Sequence, residues 1–190
     1  MKLTKSWIKV LTLVLVITSL LSRPGDVSTT TIPSPEAVPA TPTITSTPSA
    51  ETRILYQVEK VVDGDTLKVT IDGKIETLRL IGLDTPEVVD PRKPVQCFGI
   101  EASNKAKEIL TDQKVALEAD LSQGNRDKYG RLLRYVYLEN GENFNKMMIA
   151  EGYGHQYTYN KPYKYMDEFK LAEQKARSEK KGLWGDGVCL

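Results

Sequence analysis

Apolar and polar residues alternate with period two along Thr66–Ile71, where Leu67, Val69 and Ile71 share one face. That is the pattern of a half-buried strand. Asp72-Gly73 follows, a pair that closes a tight hairpin because both residues tolerate positive φ. Glu76–Leu83 is the returning strand, and Ile54–Val62, with mixed patterning, precedes the pair. Asp63-Gly64-Asp65 supplies the turn between them, so a three-strand meander carries Asp63 and Asp65 at one hairpin end. Lys114–Ala119 and Leu132–Leu138 read as a fourth and a fifth strand. A period of 3.6 marks Gly99–Leu110, with Ala102, Ala106, Ile109 and Leu110 on one face. It also marks Phe144–Glu151, which Asn143 caps and Gly152 stops, and the charged helix Met166–Lys180, ended by Gly182. Leu183 and Trp184 then pack back on the body. No strand–helix–strand alternation supports a doubly wound sheet. The expectation is an α+β domain, mainly β, built on a small closed barrel of OB type.

Outside that region the patterning is of two other kinds. Met1–Leu21 begins with Lys2, Lys5 and Lys9 and continues as the apolar run Val10–Leu21. Residues 1–22 read as a signal peptide or, since no clear small-x-small cleavage site lies near Ser22, an uncleaved N-terminal anchor. Residues 23–52, rich in Ser, Thr and Pro from Val27 onward, read as a disordered stalk that cannot bury enough apolar surface to offset ordering. Residues 53–190 form the folded domain. The destination is then secreted or extracytoplasmic, with a membrane tether only through residues 1–21.

Charge and cysteine content narrow the chemistry. The formal net charge is +1, so no global basic field announces a polyanionic partner, and any such binding rests on a local patch. Two cysteines and the single His155 do not make a zinc site. In an exported chain Cys97 and Cys189 pair, closing a loop of roughly ninety residues. His155 alone also excludes chemistry by paired histidines, and it reads as a surface side chain.

The chemistry concentrates in Arg79-Leu80-Ile81-Gly82-Leu83-Asp84-Thr85-Pro86-Glu87. A guanidinium inside an apolar strand needs a partner or an anionic ligand. Asp84 and Glu87, close together where Pro86 ends the strand, suit a hard cation. Arginine with paired acids suggests phosphate chemistry with a metal. Arg79 and Asp84 have opposite parity, so both reach one site only if the strand bends, and Gly82 is the place for that bend. Each feature alone has a plainer reading: Arg79 as an ion pair with Glu76 or Asp84, Asp63-Gly64-Asp65 as a turn, and Arg92 and Lys93 as solvated charge in a mobile loop over Val88–Val95.

Asp63-Gly64-Asp65-Thr66, then Arg79 to Glu87, then Asp127-Lys128-Tyr129-Gly130-Arg131, in that order, resembles the staphylococcal nuclease (thermonuclease) family. The likeness runs from about Ile54 to Trp184. It implies an OB-fold five-stranded barrel with three helices. It also implies a calcium-dependent endonuclease that acts on DNA and RNA, single-stranded or frayed, leaves 3′-phosphate ends, and works as a monomer with one Ca2+. By the resemblance Asp65 and Asp84 are carboxylate ligands of calcium, Thr85 offers its carbonyl, and Asp63 stands in the outer shell. Glu87 orients or deprotonates water, Arg79 and Arg131 grip the scissile phosphate, Lys128 and Tyr129 hold a neighbouring phosphate, and Tyr157 or Tyr159 stacks on base or sugar. The chain departs from the family in Arg134, which stands for a small residue and must reach solvent or a carboxylate, and in its two cysteines. Lys161-Pro162 matches a prolyl bond that is cis in the family, and a cis bond is expected. A competing expectation is a catalytically silent OB module that binds nucleic acid or a protein partner.

Overall fold

A computed structural model describes residues 53–92 and 94–189. The signal or anchor segment, the stalk and Lys93 lie outside the described residues. No helix among those described is long and apolar enough to cross a membrane.

The two-residue turn sets the geometry of the site. Asp72 (φ 50°) and Gly73 (φ 74°) both take positive φ, as the hairpin turn requires. They join β2 (Thr66–Ile71) to β3 (Lys74–Leu80). The turn pairs Ile71 with Lys74, and the register then runs without a slip to Thr66 opposite Arg79. Arg79 therefore arrives beside Asp65, at the far end of the hairpin, by counting alone. β1 (Leu55–Val61) pairs antiparallel with β2 across a bulge between Val58 and Lys60. β5 (Lys114–Glu118) pairs with β1 on one side and β6 (Leu132–Tyr137) on the other, and β6 closes on β3 in parallel. The result is a closed barrel in the order β1-β2-β3-β6-β5. Closure removes the exposed edges that an open sheet of this size would leave.

β3 ends at Leu80, three residues before the sequence pattern suggests, because the backbone turns at Gly82 with φ 75°. A short β4 (Leu83–Asp84) then pairs with β7 (His155–Gln156), a two-residue strand too brief to show a period. Gly82 is required twice over. Its φ is left-handed, and a Cβ there would sit 2.6 Å from Tyr163 and 2.8 Å from Phe169.

Three helices cover the barrel. α1 (Gly99–Leu110) buries Ala102, Ala106 and Leu110 completely, while Ile109 is only partly buried. In α2 (Phe144–Ala150) the Asn143 carboxamide accepts the Lys146 N–H at 3.0 Å, the expected N-cap. α3 (Met166–Ser178) stops two residues early, because Lys180 takes φ 55°. A 3₁₀ turn, Gly182–Trp184, follows, with Leu183 buried as expected. One expectation is overturned: there are no cis peptide bonds among the described residues, so Lys161-Pro162 is trans. Trans is the intrinsically favoured isomer. In it the Gln123 amide donates to the carbonyls of both Lys161 (3.2 Å) and Pro162 (3.0 Å).

Candidate active site

Arg79 is the hub. Its guanidinium lies 2.7 Å from Asp65 Oδ2 and 2.7 Å from Asp84 Oδ1, and it donates to the Leu83 carbonyl at 2.8 Å. Of the two partners suggested by sequence, Asp84 is correct. Glu76 instead forms a two-pronged pair with Arg126 at 2.8 and 2.9 Å. The bend at Gly82 resolves the parity conflict, since it folds Asp84 back over the Arg79 face. Asp65 is buried and further committed. Its Oδ1 accepts the Thr66 hydroxyl, and its Oδ2 accepts the Thr85 N–H at 2.9 Å and the Thr85 hydroxyl at 3.3 Å. Thr85 packs so closely on Gly64 that a Cβ there would meet it at 2.6 Å.

One guanidinium faces more negative charge than it carries. Burial, and then the neighbouring Asp65 charge, push Asp63 up to about 6, and its Oδ1 accepts the Asp65 N–H at 3.1 Å. Burial also raises Asp84, although the Arg79 charge opposes it. Among the described residues no three His, Cys, Asp or Glu side chains form a ligand cluster. Two carboxylates beside a fixed Thr85 backbone still fit a hard divalent cation, which takes carbonyl and water oxygens to complete its shell. Asp65 and Asp84 are the side chains that could hold it.

Glu87 stands on the turn after Pro86. Its Oε1 accepts the backbone N–H groups of Val88, Val89 and Asp90 at 2.9, 2.7 and 3.1 Å. Burial works to raise this carboxyl, but the three N–H groups outweigh it and hold it below the usual glutamate range. Gln96, which sequence reasoning passed over, grips the Glu87 backbone from both sides. Its side-chain carbonyl accepts the Glu87 N–H at 2.8 Å, and its own N–H donates to the Glu87 carbonyl at 2.9 Å. The Cys97–Cys189 disulfide lies one residue further on, as expected. Arg92 is ion-paired to Asp90, so it is not a loose cation of the loop.

The second basic group comes from the loop before β6. Asp127 orients it. Its Oδ1 accepts the N–H of Tyr129 and of Arg131, while its Oδ2 holds Arg131 Nε at 2.7 Å. Arg131 itself lines the cleft. The Lys128 ammonium and the Arg131 guanidinium lie 5.0 and 5.4 Å from the centroid of the exposed Tyr129 ring. Asp63, Asp65, Arg79, Asp84, Thr85, Glu87, Tyr129, Arg131 and Tyr157 line one cleft of about 800 Å³. A contiguous arm of about 940 Å³ shares Arg79, Asp84, Tyr129, Arg131 and Tyr157 and adds Lys128 and Tyr159. All the candidate residues thus converge. Tyr157 and Tyr159 both reach the arm, with ring centroids 6.4 Å apart, and the Tyr157 N–H donates to the Gly82 carbonyl.

Arg134 is only partly buried, in keeping with a cation that reaches solvent, and it forms no ion pair among the described residues. It donates to the Asn125 side-chain oxygen and the Leu133 carbonyl, each at 2.7 Å. His155 keeps a side chain 42% exposed, as a surface group does, while β7 sets its ring edge-on against Trp184 at 4.9 Å and 3.6 Å from Glu173. A further buried residue escaped the sequence. Asn145 donates to the Ile81 carbonyl at 2.9 Å and accepts the Val136 N–H at 3.1 Å, satisfying backbone groups where β3 breaks. A lone Asn in a helix carries no signal for that role.

Residues 77–186 match the family described as staphylococcal nuclease homologue. The chain is 45% identical over 131 residues to a thermonuclease of Staphylococcus hyicus, covering 69% of this chain and 76% of that protein. It is 43% identical over 128 residues to the SPbeta prophage-derived endonuclease YokF of Bacillus subtilis, covering 67% of this chain and 43% of that one. Against the endonuclease YncB of the same organism the figures are 41%, 128 residues, 67% and 60%. The chain thus spans three quarters of the staphylococcal relative and about half the length of the two Bacillus proteins. With the closed five-strand barrel, its three helices and the convergent acid–arginine cleft, these matches place the chain in the staphylococcal nuclease family.

Proposed function

We propose that this chain is an exported, calcium-dependent nuclease that hydrolyses phosphodiester bonds of DNA and RNA and leaves 3′-phosphate ends. The observation that carries the reading is Arg79 clamped between Asp65 and Asp84 in a cleft that Glu87 and Arg131 also line. The lysine-led apolar segment 1–21 supports export. The names thermonuclease and endonuclease on the relatives support the reaction.

A phosphodiester carries one negative charge, and attack by water concentrates charge on the phosphoryl oxygens. Catalysis is therefore mostly positioning and electrostatic stabilisation. Arg131, fixed through Nε by Asp127, presents its remaining N–H groups as a planar fork for two phosphate oxygens. Arg79 supplies a second permanent positive charge from the floor. A hard cation held by Asp65 and Asp84 supplies Lewis-acid charge when bound. Glu87, held below the usual glutamate range by three N–H groups, stays ionised and accepts a proton poorly; it fits the orientation of the attacking water better than its full deprotonation. Water adds OH to phosphorus, the P–O5′ bond breaks, and the proton leaves with the 5′-hydroxyl. Lys128 and Tyr129 hold a neighbouring phosphate, and Tyr157 or Tyr159 offers a face to a base or sugar.

The test is cleavage of single-stranded DNA and of RNA in calcium and in chelator, with end-group analysis of the products. The expected result is activity in calcium alone and 3′-phosphate termini. Binding without turnover in calcium would instead support a silent binding module.

A further inference from the structure

Asp127 orients Arg131 within the loop over residues 125–131, but Asp127 belongs to that loop and does not place it against the rest of the site. The ladder of β6 on β3 begins with Leu132 opposite Leu78, one residue past Arg131. A pair of side chains to which the reaction gives no part reaches from the loop to β3. Arg126 donates to both Glu76 carboxylate oxygens, at 2.8 and 2.9 Å, and to the Gly130 carbonyl at 2.7 Å. Glu76 stands on β3, three residues before Arg79. One guanidinium thus links the residue before Arg131 to the strand that carries Arg79. Arg134 ties the foot of the same loop to β6 through the Asn125 side-chain oxygen at 2.7 Å.

The fork is better made than stability alone explains. The Arg126 and Glu76 side chains are 42% and 25% exposed, and pairs so open to water add little to global stability. A planar two-pronged contact fixes direction as well as distance, which a lysine ammonium does not. Its local effect is to hold the loop at one angle to β3.

We infer that Arg126 and Glu76 are positioning residues for cleavage: they hold the loop so that Arg131 meets the ester together with Arg79. The inference rests on the nuclease reading for the role of Arg131. A phosphate gripped from two sides depends on the separation of the two guanidiniums. A misplacement of about 1 Å in such a site can cost about 10²-fold in rate. Arg126 also lines the cleft, so its action through Arg131 has to be told apart from a direct pull on the substrate. Glu76 separates the two. Removing its charge frees a cation and makes the cleft more positive, which favours a polyanion if charge alone matters. It also frees the loop, which harms turnover if position matters.

The test is a double-mutant cycle in Arg126→Ala and Arg131→Ala. It is read by kcat/KM on single-stranded DNA in calcium and by fluorescence anisotropy of a short oligothymidylate in chelator. Arg126→Ala alone should lower kcat/KM about tenfold and affinity about threefold, while the melting temperature moves by only a few degrees. Added to Arg131→Ala, it should lower neither further, because it acts through Arg131. Glu76→Gln should lower kcat/KM severalfold and should not raise affinity. Arg126→Lys, which keeps the charge and loses the fork, should recover little of the activity. Should Arg126→Ala fail to fold, Glu76→Gln takes its place in the cycle. Equal losses with and without Arg131, tighter binding in Glu76→Gln, or full activity in Arg126→Lys would overturn the role. If the wild type cleaves nothing in calcium, the nuclease reading fails, and the affinity cycle alone decides whether the pair holds Arg131 for the strand. If the wild type cleaves and the two losses add, the nuclease reading stands and the positioning role fails.

Discussion

At the scale of single residues, the site is a balance of charge in which Arg79 holds two carboxylates that would otherwise repel. Its side chain is only 16% exposed and that of Asp65 only 9%. Removing one partner of such a buried pair leaves the other uncompensated, at a cost of about 3–5 kcal/mol. Arg79→Ala should therefore lower the stability of the metal-free protein by that order in denaturant titrations. Part of the loss should return on adding calcium, if the cation takes over neutralisation of Asp65 and Asp84. Cleavage should fall about 10²–10³-fold or more, since a charge aimed at the phosphate is gone. Asp120, away from the chemistry, makes a prediction in pH. It is buried and accepts from the Tyr135 hydroxyl, the Lys164 N–H and both the N–H and hydroxyl of Ser122. Burial alone would raise its pKa, but these bonds outweigh it and leave the folded value below the ordinary 3.8. For an acid depressed by folding, the unfolded chain binds more protons as pH falls. The contribution is present above the unfolded pKa and is lost as pH drops through the folded one. Wild-type thermal stability should decline below about pH 4. Asp120→Asn should flatten that decline while costing about 1–3 kcal/mol at pH 7, because the amide leaves donors poorly matched.

At the scale of elements, the hairpin and the bend explain why the site was legible where it was. Asp72-Gly73 sets the pairing of Ile71 with Lys74, and from there an unbroken ladder puts Arg79 across from Thr66, next to Asp65. Strand patterning and turn signals carry that information, so all five barrel strands could be read in advance. The pairing of Arg79 with Asp84 was one of two readings open, while its pair with Asp65 emerges only from the register. The Gly82 bend followed from the parity of Arg79 and Asp84. What could not be read lacks a period. β7 spans two residues, and Gln96 and Asn145 act through hydrogen bonds to backbone 9 and 64 positions away. The trans Lys161-Pro162 bond answers to partners on another loop, Ser122 and Gln123, which no local pattern near the proline announces. The bend gives a sharp test. Gly82→Ala places a methyl group against Tyr163 and Phe169 at a left-handed φ. The combined strain and overpacking should cost about 2–4 kcal/mol. Because Asp84 follows the bend by two residues, activity measured well below the melting temperature should also fall, and more than binding of a long oligonucleotide does.

At the scale of the whole molecule, one covalent link joins the loop behind Glu87 to the chain's end. Cys97 and Cys189 are bridged across 92 residues of sequence. The C-terminal segment is itself seated on the body, since the Leu183 N–H donates to the Gly152 carbonyl at 2.9 Å. Gly152 and Gly182 approach so closely that no side chain fits at either. The bridge thus ties Cys97, and with it the neighbouring Gln96 that holds the Glu87 backbone, to a fixed point. Two separable consequences follow from reduction, or from replacing both cysteines by serine. Loss of a loop this long should lower stability by about 4 kcal/mol in the chain-entropy account. Loss of the tether should also let Gln96 and Glu87 wander, lowering kcat severalfold while KM changes less, because Glu87 acts on water and the arginines and lysines hold the strand. The two are told apart by assaying far below the melting temperature of the reduced protein, where almost every molecule is folded. A fall in melting temperature with kcat intact would confine the bridge to stability. A melting temperature that does not move would show that the docked 3₁₀ turn alone holds the C-terminus, leaving the bridge no share in either.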